Sequence, residues 1–566
     1  MQPFLKFIPN LIMSIPFVLR RQLRRDADHA RAVKPYFLVD ILVKLLLPAL
    51  LVVSIARAEA PSIGEAYRQE LLSKKGVQTL EKRTLLSAED GLPTAELWMS
   101  HVRNDLLPFW TSPAAIGVPE GNFPTFRAYG GSTIDSLNPQ DEFLEIPDSE
   151  IWLKGRVNRQ YSRMMGRQIY AYCVAYQMTG DERALELAKR GTEYLLGNMY
   201  DSRGFFYTWR MQRRDGTYER FPEEEYIISQ DISYALLGPA MYYYITRDPK
   251  VLPVIQQCKE YIFEKYRIEG SRNLRWIRES YRDFEELHTR EQLELVAQLD
   301  QINAYMLLVT RLLDGEDRKT WETDLVNLAE LIKSEYYNEE NNVFWGRIDK
   351  EAYKQLGKPH VDFGHTIKTF WMIYLIGEQF QRADLSKFSL EHGPSVLKEA
   401  FHRPYETWIE KKLPGGQLGT DRVWWVHNEL DQAAATFMLV DGSQKNYLQF
   451  SYRYWFEQFI DLRSKEAWHS LVGPMPGVPA YLKAHLWKNG FHSFEHALVG
   501  YITGEAYRRK PVSLYYAFRE IPDHSLIQPY LYRGEIEQAK ITTTEFSSAA
   551  LSGLKKRAVT FVNVRP

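Results

Sequence analysis

The strongest constraint on the fold is a repeat of helical hairpins between about residues 93 and 510. In each hairpin, apolar residues recur at helical spacing, a polar turn follows, and a second apolar stripe returns. Hairpins of this kind bury their apolar faces by stacking, and a closed ring leaves no end uncovered. The six hairpins therefore predict an all-α fold, an (α/α)6 barrel or toroid with six inner and six outer helices.

The first full hairpin shows the pattern most clearly. Its inner stripe runs over 170–176, its turn is Thr179-Gly180-Asp181, and its return stripe runs over 185–195. The plan recurs at 234–261, 303–336, 365–401, 429–459 and 492–507, and a helix at 97–107 precedes them all. Histidine, tryptophan, glutamate and arginine residues fall at the starts of the inner helices. Because these helix ends surround one central opening, we expect the side chains to face the same cavity.

Composition limits the class of ligand. Lys and Arg total 71 and Asp and Glu total 72, so the net charge gives no case for nucleic acid, and a neutral ligand is expected. The 14 Trp and 35 Tyr exceed what a core needs, and such side chains stack on sugar rings. Cys173 and Cys258 lie in apolar helical stripes and are predicted to be buried hydrophobes.

Residues 1–60 have the features of a leader outside the barrel. An arginine cluster precedes an apolar stretch at 36–55 that Asp40 and Lys44 interrupt, and small residues then alternate from Ala56 to Ala60. These features are typical of a secretory signal peptide and predict a periplasmic or extracellular protein. The alternatives are a membrane anchor, for which the uninterrupted stretch at 45–55 is short, or a cytoplasmic protein whose leader is not a signal.

Three further segments flank or interrupt the predicted catalytic domain at 93–510. Residues 61–92 form a polar connector, and residues 267–296 form a densely charged insertion. The insertion is predicted to be a solvated surface excursion, with a lid or a homodimer contact as the alternative. Residues 511–566 form a C-terminal extension, whose Thr-, Ser- and Lys-rich end from Gln538 onward is expected to pack poorly.

Two histidines are the candidate acid/base residues. His365 opens one inner helix after Asp362-Phe363-Gly364, and His492 opens the last one. The last inner helix of a toroid closes against the first, so both rings can reach one cavity. Two imidazoles on either side of one carbon can remove a proton from one face and return it to the other. Taken alone, a histidine at a helix start such as His365 is more typical of a capping or packing residue.

The fifth inner helix begins with an aromatic and polar cluster. Trp424 and Trp425 precede His427 and Glu429, an arrangement that suits a sugar with an apolar face and a hydroxyl rim. An aromatic core with a capping polar residue explains the cluster equally well. On the first inner helix, Arg167 is placed to stabilise negative charge on oxygen beside a carbanion, with an ordinary surface ion pair as the alternative.

These segments together resemble the N-acylglucosamine 2-epimerase family, which includes the cellobiose 2-epimerases and mannose isomerases. The resemblance rests on four blocks in the right order, which are residues 166–172, 362–371, 424–429 and 488–492. It implies an (α/α)6 barrel and a metal-independent isomerisation or 2-epimerisation of a sugar through an enediolate. By resemblance, Arg167 steadies the enediolate oxygens, and His365 and His492 are the acid/base pair. Glu429 matches the family's carboxylate after the tandem tryptophans, and Trp425 helps to form the sugar platform.

Two positions depart from the family pattern. Three residues after the first histidine, where the family usually has a glutamate that orients the imidazole, this chain has Lys368. Near the third inner helix, where many members place another histidine after an asparagine, it has Asn303-Ala304-Tyr305. Both changes are expected to remove polar support from the pocket. Within the matching segments, the residues expected to contact the substrate are Trp424, Trp425, His427, Trp371, Asn303 and Tyr305.

Three functions remain open from the sequence. The leading one is a sugar 2-epimerase or aldose-ketose isomerase acting on a sugar or oligosaccharide. The second is a glycoside hydrolase on the same barrel, with Glu429 and either Asp231 or Asp300 as its carboxylates. The third is a non-catalytic carbohydrate-binding protein, which remains an alternative because Lys368 stands where the family usually has a glutamate. No phosphate-binding loop or metal-ligand spacing is apparent in the sequence, so neither a cofactor nor a metal is expected.

Overall fold

The computed structural model describes residues 88–134, 151–213, 217–220, 227–276, 292–475, 478–480 and 482–566. The predicted leader, most of the connector and the centre of the charged insertion lie outside these residues. The described residues all fall within one compact unit, Arg68–Pro566. Among them, no helix combines the length and the apolar character needed to cross a membrane.

Twelve long helices make up the described part of the barrel, as predicted. They are α1 (95–110), α2 (Ser162–Thr179), α3 (Glu182–Asn198), α4 (Ser229–Thr246), α5 (Leu252–Lys265), α6 (295–312), α7 (315–336), α8 (Phe363–Gln379), α9 (Ala383–Ala400), α10 (Trp424–Asp441), α11 (445–459) and α12 (Phe491–Tyr507). Wider π-helical turns occur at Val102–Leu106 in α1, Ile302–Met306 in α6, Ile332–Tyr336 in α7 and Trp455–Phe459 in α11. Short single turns occupy Pro113–Ile116, Ile151–Lys154, Glu351–Tyr353, Arg403–Tyr405, His524–Leu526 and Ala549–Leu551.

The even-numbered helices form the inner ring and the odd-numbered ones the outer ring. Nearly every residue of α2 and α4 is buried, whereas α3 buries one face only. The predicted turn between α2 and α3 is confirmed, since Gly180 has φ 68° and the Asp181 side chain caps α3 by accepting from the Ala184 N–H at 2.9 Å. Gly166 allows close approach within the ring, because a Cβ there would lie 2.2 Å from the Tyr234 carbonyl oxygen on α4.

Short antiparallel strands connect the helices. Two three-stranded sheets are β1 (Arg159–Tyr161), β4 (Trp209–Gln212) and β5 (Tyr218–Arg220), and β10 (Arg422–Val423), β11 (Ser470–Val472) and β12 (Val478–Ala480). Three two-stranded hairpins are β2 (Tyr200–Asp201) with β3 (Phe205–Phe206), β6 (Tyr337–Asn338) with β7 (Val343–Phe344), and β8 (Phe401–His402) with β9 (Thr407–Trp408). Strands β1 and β10 run directly into the inner helices α2 and α10, so they fix where those helices begin.

The C-terminal extension is a folded sheet, so the expectation that its end packs poorly is wrong. Strands β13 (Val512–Phe518), β15 (Lys555–Arg565) and β14 (Arg533–Thr543) form an antiparallel sheet in that order. Val559 and Phe561 of β15 are fully buried and belong to the barrel core. Their alternation with partly exposed neighbours is the period of a half-buried strand, which the polar composition of the segment obscured.

The two cysteines are buried and unpaired with each other, as predicted. Cys173 lies on α2 and Cys258 on α5, and both have zero exposure. Burial raises the pKa of both thiols well above the ordinary value, so neither is a ready nucleophile.

Candidate active site

A cavity of about 930 Å³ opens where the inner helices begin. Each inner helix contributes a lining residue from its first turns, except α6, which contributes Glu294 immediately before its start. The lining includes Arg163, Arg167, Tyr234, His365, Lys368, Trp424, Trp425 and His492. The predicted convergence of separate inner helices on one central mouth is therefore present.

His365 lies in the first turn of α8 and is held by the residue that caps this helix. Asp362 accepts from the His365 backbone N–H at 2.8 Å, and its other oxygen lies 2.7 Å from His365 Nδ1. Burial alone raises the pKa of Asp362, but the interactions with His365 keep it below the usual value. An ionised Asp362 accepts a hydrogen bond from the Nδ1–H group, which leaves Nε2 as the ring nitrogen with a free lone pair.

His492 occupies the corresponding position on α12. Its side chain is buried, and its Nδ1 lies 3.6 Å from a carboxylate oxygen of Glu429 on α10. Burial is the main reason that the pKa of His492 lies well below its ordinary value, and the positive charges of Lys368 and Arg167 lower it further. His492 is therefore a neutral imidazole at neutral pH.

Trp425 lies beside both imidazoles. Its ring centroid is 4.7 Å from that of His365 and 6.0 Å from that of His492. Trp425 can approach α8 this closely only because residue 364 is glycine, since a Cβ at Gly364 would lie 2.6 Å from the Trp425 ring. Trp424 packs on His469 at 4.6 Å and contacts His492 at 6.0 Å. The tandem tryptophans thus line the same cavity as the two histidines.

Arg167 contributes a buried positive charge from α2. Its Nη1 donates to the Trp487 carbonyl oxygen at 2.8 Å, and its guanidinium lies 3.8 Å from the centroid of the Tyr234 ring. Burial lowers the pKa of Arg167 to about 10, so it stays protonated at neutral pH. The neighbouring Arg163 donates to Asp231 at 2.9 Å. A protonated Arg167 in the cavity wall can stabilise negative charge that develops on a bound oxygen.

Lys368 is an integrated part of the cavity floor, which corrects the expectation that it removes polar support. Its ammonium donates to Asp300 at 3.2 Å and to the Tyr234 hydroxyl at 3.3 Å, and it lies 3.9 Å from Glu429. Burial opposes its charge, but Tyr234, Asp300 and Glu429 raise the pKa of Lys368 above the ordinary value. The imidazole support expected from a glutamate at this position comes instead from Asp362, three residues before His365.

Glu429 lies beneath the cavity rather than in its lining. It has zero exposure, and neither of its oxygens has a hydrogen-bond partner among the described residues. Burial raises its pKa to about 8, against the opposing effect of Lys368. Glu429 is therefore mostly protonated at neutral pH and contacts the lining from behind, through His492 and Lys368.

Four of the predicted substrate contacts lie outside the cavity lining. His427 is buried against Asp431 at 3.2 Å, and Trp371 has zero exposure in the core. Tyr305 donates to Gln301 at 3.0 Å and packs on Trp321 of the outer helix α7, and Asn303 lies outside the lining on α6. The expectation that these four residues touch a ligand in this cavity does not fit their positions.

His360 is a lining residue that sequence reasoning missed. Its ring centroid lies 4.8 Å from that of His365, and its Nδ1 lies 3.6 Å from Glu294. Burial, followed by the nearby His365, lowers the pKa of His360 to about 4. Its φ of 61° is in the left-handed region, which is uncommon for a non-glycine residue. His360 lies in a loop, so helical periodicity in the sequence could not identify it. Asp362 and Tyr234 were also missed as site residues, although Asp362 carried a signal as a capping residue three positions before a histidine. Asp300 was considered only as a carboxylate of the alternative glycoside hydrolase.

Within the part of the chain that the structure describes, one group of buried side chains has donor atoms close enough to be considered for a metal ion. The donor atoms of Glu429, His492 and Glu495 lie within 4.8 Å of one another. The ammonium of Lys368 already lies 3.9 Å from Glu429 and brings positive charge to this group. Because a second cation beside a buried ammonium is strongly repelled, we assign no metal to it.

Comparison with known proteins identifies similar chains. No known family profile matches this sequence. A cellobiose 2-epimerase from Bacteroides fragilis is 22% identical over 335 residues, which cover 57% of this chain and 76% of that protein. The structure of the cellobiose 2-epimerase from Bacillus thermoamylovorans B4167 is 15% identical and superposes with a TM-score of 0.59 over 72% of this chain and 98% of that one.

A D-mannose isomerase structure is similar to the same degree. It is 16% identical, with a TM-score of 0.58 over 73% of this chain and 98% of that chain. The order of twelve helices and the agreement with these structures establish the (α/α)6 barrel. The chain is similar in sequence and in fold to the cellobiose 2-epimerases, and this confirms the resemblance to the N-acylglucosamine 2-epimerase family that its motifs indicate.

Proposed function

We propose that this protein is a carbohydrate 2-epimerase or aldose-ketose isomerase that transfers a proton at C2 of a reducing sugar. The observation that carries the proposal is the pair His365 and His492, which line one cavity from separate inner helices with Trp425 beside both. The printed names of the similar proteins, cellobiose 2-epimerase and D-mannose isomerase, support a sugar substrate and an isomerase-type reaction.

The proposed reaction begins with an open-chain sugar against the Trp425 ring. His365 accepts the C2 proton at Nε2, since Asp362 holds the proton on Nδ1. Arg167 stabilises the oxygen charge of the resulting enediolate. His492 then donates its Nε2 proton while the protonated Glu429 passes a proton to Nδ1, so the ring of His492 stays neutral and Glu429 becomes a carboxylate. Delivery to the opposite face of C2 gives the 2-epimer, and delivery to C1 gives the ketose. In the reverse direction the two histidines exchange roles.

A glycoside hydrolase is less well supported, because the carboxylates considered for it are committed elsewhere. Glu429 and Asp300 both lie against the ammonium of Lys368, and Asp231 pairs with Arg163. Hydrolysis requires two carboxyl groups on opposite sides of a glycosidic bond. Release of new reducing ends from an oligosaccharide, without isomerised product, would favour this reaction over the proposed one.

The test is proton exchange in heavy water. We would incubate the protein with cellobiose, glucose and mannose in D2O and follow the C2 proton and the product sugars by NMR. We expect loss of the C2 proton signal together with an epimer or ketose. The His492→Ala variant should lose exchange, while His524→Ala, an exposed histidine on a surface turn, should retain it. Exchange at the wild-type rate in His492→Ala would remove His492 from the mechanism. Sugar binding without exchange in the wild type would point to a non-catalytic binding protein.

A further inference from the structure

The C-terminal extension reaches the centre of the barrel from the side opposite the cavity mouth. The segment between β13 and β14 is tied to inner helices, since Arg247 at the end of α4 donates to the Leu526 carbonyl at 2.7 Å. Farther along, the Tyr530 backbone N–H donates to the Tyr244 hydroxyl of α4 at 2.8 Å. These contacts fix the segment at the end of the ring where the inner helices finish.

Tyr530 projects from this segment into the barrel core. It is 3% exposed, and its φ of 57° is left-handed, a conformation that non-glycine residues adopt rarely. Its hydroxyl donates to a carboxylate oxygen of Glu495 on α12 at 2.5 Å and accepts from the Tyr170 hydroxyl at 2.8 Å. The Tyr170 hydroxyl also lies 3.4 Å from the same oxygen of Glu495. Two tyrosines, one of them from the extension, therefore anchor one carboxylate.

That carboxylate belongs to the cluster directly beneath the cavity. Glu495 follows His492 by three residues on α12, so the two side chains lie on one face of the helix. Donor atoms of Glu495, Glu429 and His492 lie within 4.8 Å of one another. The other charged groups that act on this cluster are Lys368 on α8, Asp300 on α6, Arg167 on α2, Lys488 before α12 and His365.

The two carboxyl groups differ in what stabilises their charge. Two buried carboxylates this close do not both ionise readily. Hydroxyl donors favour negative charge on Glu495, whereas Glu429 has no hydrogen-bond donor among the described residues. Burial raises the pKa of both groups, and the hydroxyls of Tyr530 and Tyr170 oppose this for Glu495. The proton of the pair therefore resides on Glu429, whose nearest imidazole nitrogen is His492 Nδ1 at 3.6 Å.

We propose that Tyr530 of the C-terminal sheet is a positioning residue for His492, acting through Glu495 and Glu429. Glu429 lies 3.6 Å from Nδ1, slightly beyond hydrogen-bond distance, and Nδ1 has no hydrogen-bond partner among the described residues. A protonated Glu429 therefore acts on Nδ1 as the neighbouring donor, and the neutral imidazole carries its proton on Nε2, toward the cavity. His365 has the opposite tautomer because Asp362 faces its Nδ1 as an acceptor. The two histidines thus start as one acid and one base. This inference rests on the proposed function for its kinetic consequence, but the tautomer itself is independent of turnover.

The experiment compares Tyr530→Phe with Tyr532→Phe in the full chain. Tyr532 is a matched control, since it lies two residues on, is equally buried, and its hydroxyl pairs with Thr436 at 2.7 Å rather than with the carboxyl cluster. In Tyr530→Phe we expect kcat for C2 exchange to fall roughly 10-fold, with KM unchanged. A loss of this size is typical when a group that supports a site residue from behind is removed. Tyr532→Phe should match the wild type in kcat, and the two variants should have the same melting temperature.

A second measurement works without turnover. Diethyl pyrocarbonate acylates an imidazole nitrogen that has a free lone pair, and peptide mapping gives the rate at His492 relative to His365 in the same sample. Tyr530→Phe should raise this ratio, because loss of the hydroxyl moves the proton from Glu429 to Glu495 and frees Nε2 of His492. An unchanged ratio overturns the inference, as does an equal change in both variants. A wild type that shows no C2 exchange contradicts the proposed function, and the acylation ratio then still decides the role of Tyr530.

Discussion

The Asp362→Asn substitution isolates the effect of charge beside His365. Asparagine caps a helix about as well as aspartate, so the hydrogen bond from the His365 backbone N–H is kept. The bond to Nδ1 at 2.7 Å loses its charge. A hydrogen bond to a charged group contributes about 1.5–3 kcal/mol, compared with about 1 kcal/mol for a neutral pair. The difference, about 0.5–2 kcal/mol, corresponds to a roughly 2- to 30-fold slower C2 exchange if it is lost in the transition state.

At neutral pH the unfolding free energy of Asp362→Asn should be only slightly lower than that of the wild type, and this difference should disappear in acid. Interactions with His365 keep the pKa of folded Asp362 below its usual value. A carboxylate of this kind contributes stability above its unfolded pKa, near 3.9, and the contribution is lost as the pH falls through the folded pKa. The wild type should therefore lose its small advantage over Asp362→Asn below about pH 4. Urea unfolding followed by tryptophan fluorescence at pH 7 and at pH 3 measures this difference.

Asp181→Asn is the matched control for this prediction. Asp181 caps α3 through the Ala184 N–H at 2.9 Å, as Asp362 caps α8, but it has no histidine partner. We expect Asp181→Asn to unfold like the wild type and to exchange C2 at the wild-type rate. The reasoning is refuted if Asp362→Asn also exchanges at the wild-type rate, or if the two variants slow the reaction equally.

Three further substitutions test other parts of the structure. Lys368→Met leaves the Asp300 carboxylate without its buried cation and should lower the unfolding free energy by about 3–5 kcal/mol. It should also raise the pKa of His492 and so move the acid limb of the pH-rate profile to higher pH; an acid limb at the wild-type pH contradicts this. Phe561→Ala removes a fully buried ring of β15 and should lower the unfolding free energy by about 3–5 kcal/mol in urea melts, whereas no change would mean that the sheet is not part of the core. Trp425→Ala removes the aromatic ring beside both histidines and should raise KM for the sugar more than it lowers kcat. A KM equal to that of the wild type would contradict a role for this ring in sugar binding.

Lys368 changes how the site is charged compared with the family pattern. A glutamate there would place another carboxyl group near Asp300 and Glu429, whereas the lysine pairs with the Asp300 carboxylate. The support for His365 has shifted by one helical turn in the other direction, to Asp362. The substitution therefore redistributes polar support around the imidazoles, and it is compatible with the proposed proton transfer at C2.

Local patterns in the sequence were enough to predict the barrel and its two histidines. Helical periodicity and turn residues depend on neighbours within a few positions, so the hairpin at Thr179-Gly180-Asp181 is visible without the fold. His365 and His492 were found because each begins an inner helix. The motif could not show which later residues face the cavity, since successive residues on a helix point about 100° apart. His427 lies two positions after Trp425 and points into the core, where Asp431 holds it.

The partners of the central residues were decided by the tertiary structure alone. Lys368 meets Tyr234 from α4 and Asp300 from α6, and Tyr530 of the C-terminal extension meets Glu495 on α12. The members of these groups are separated by tens of residues along the chain, and no periodic pattern connects them. Burial then sets their charge states, because the cost of a charge depends on every group that surrounds it after folding. The sequence by itself determined which helices form and where they begin, and the packed barrel determined which side chains meet and which of them carry protons.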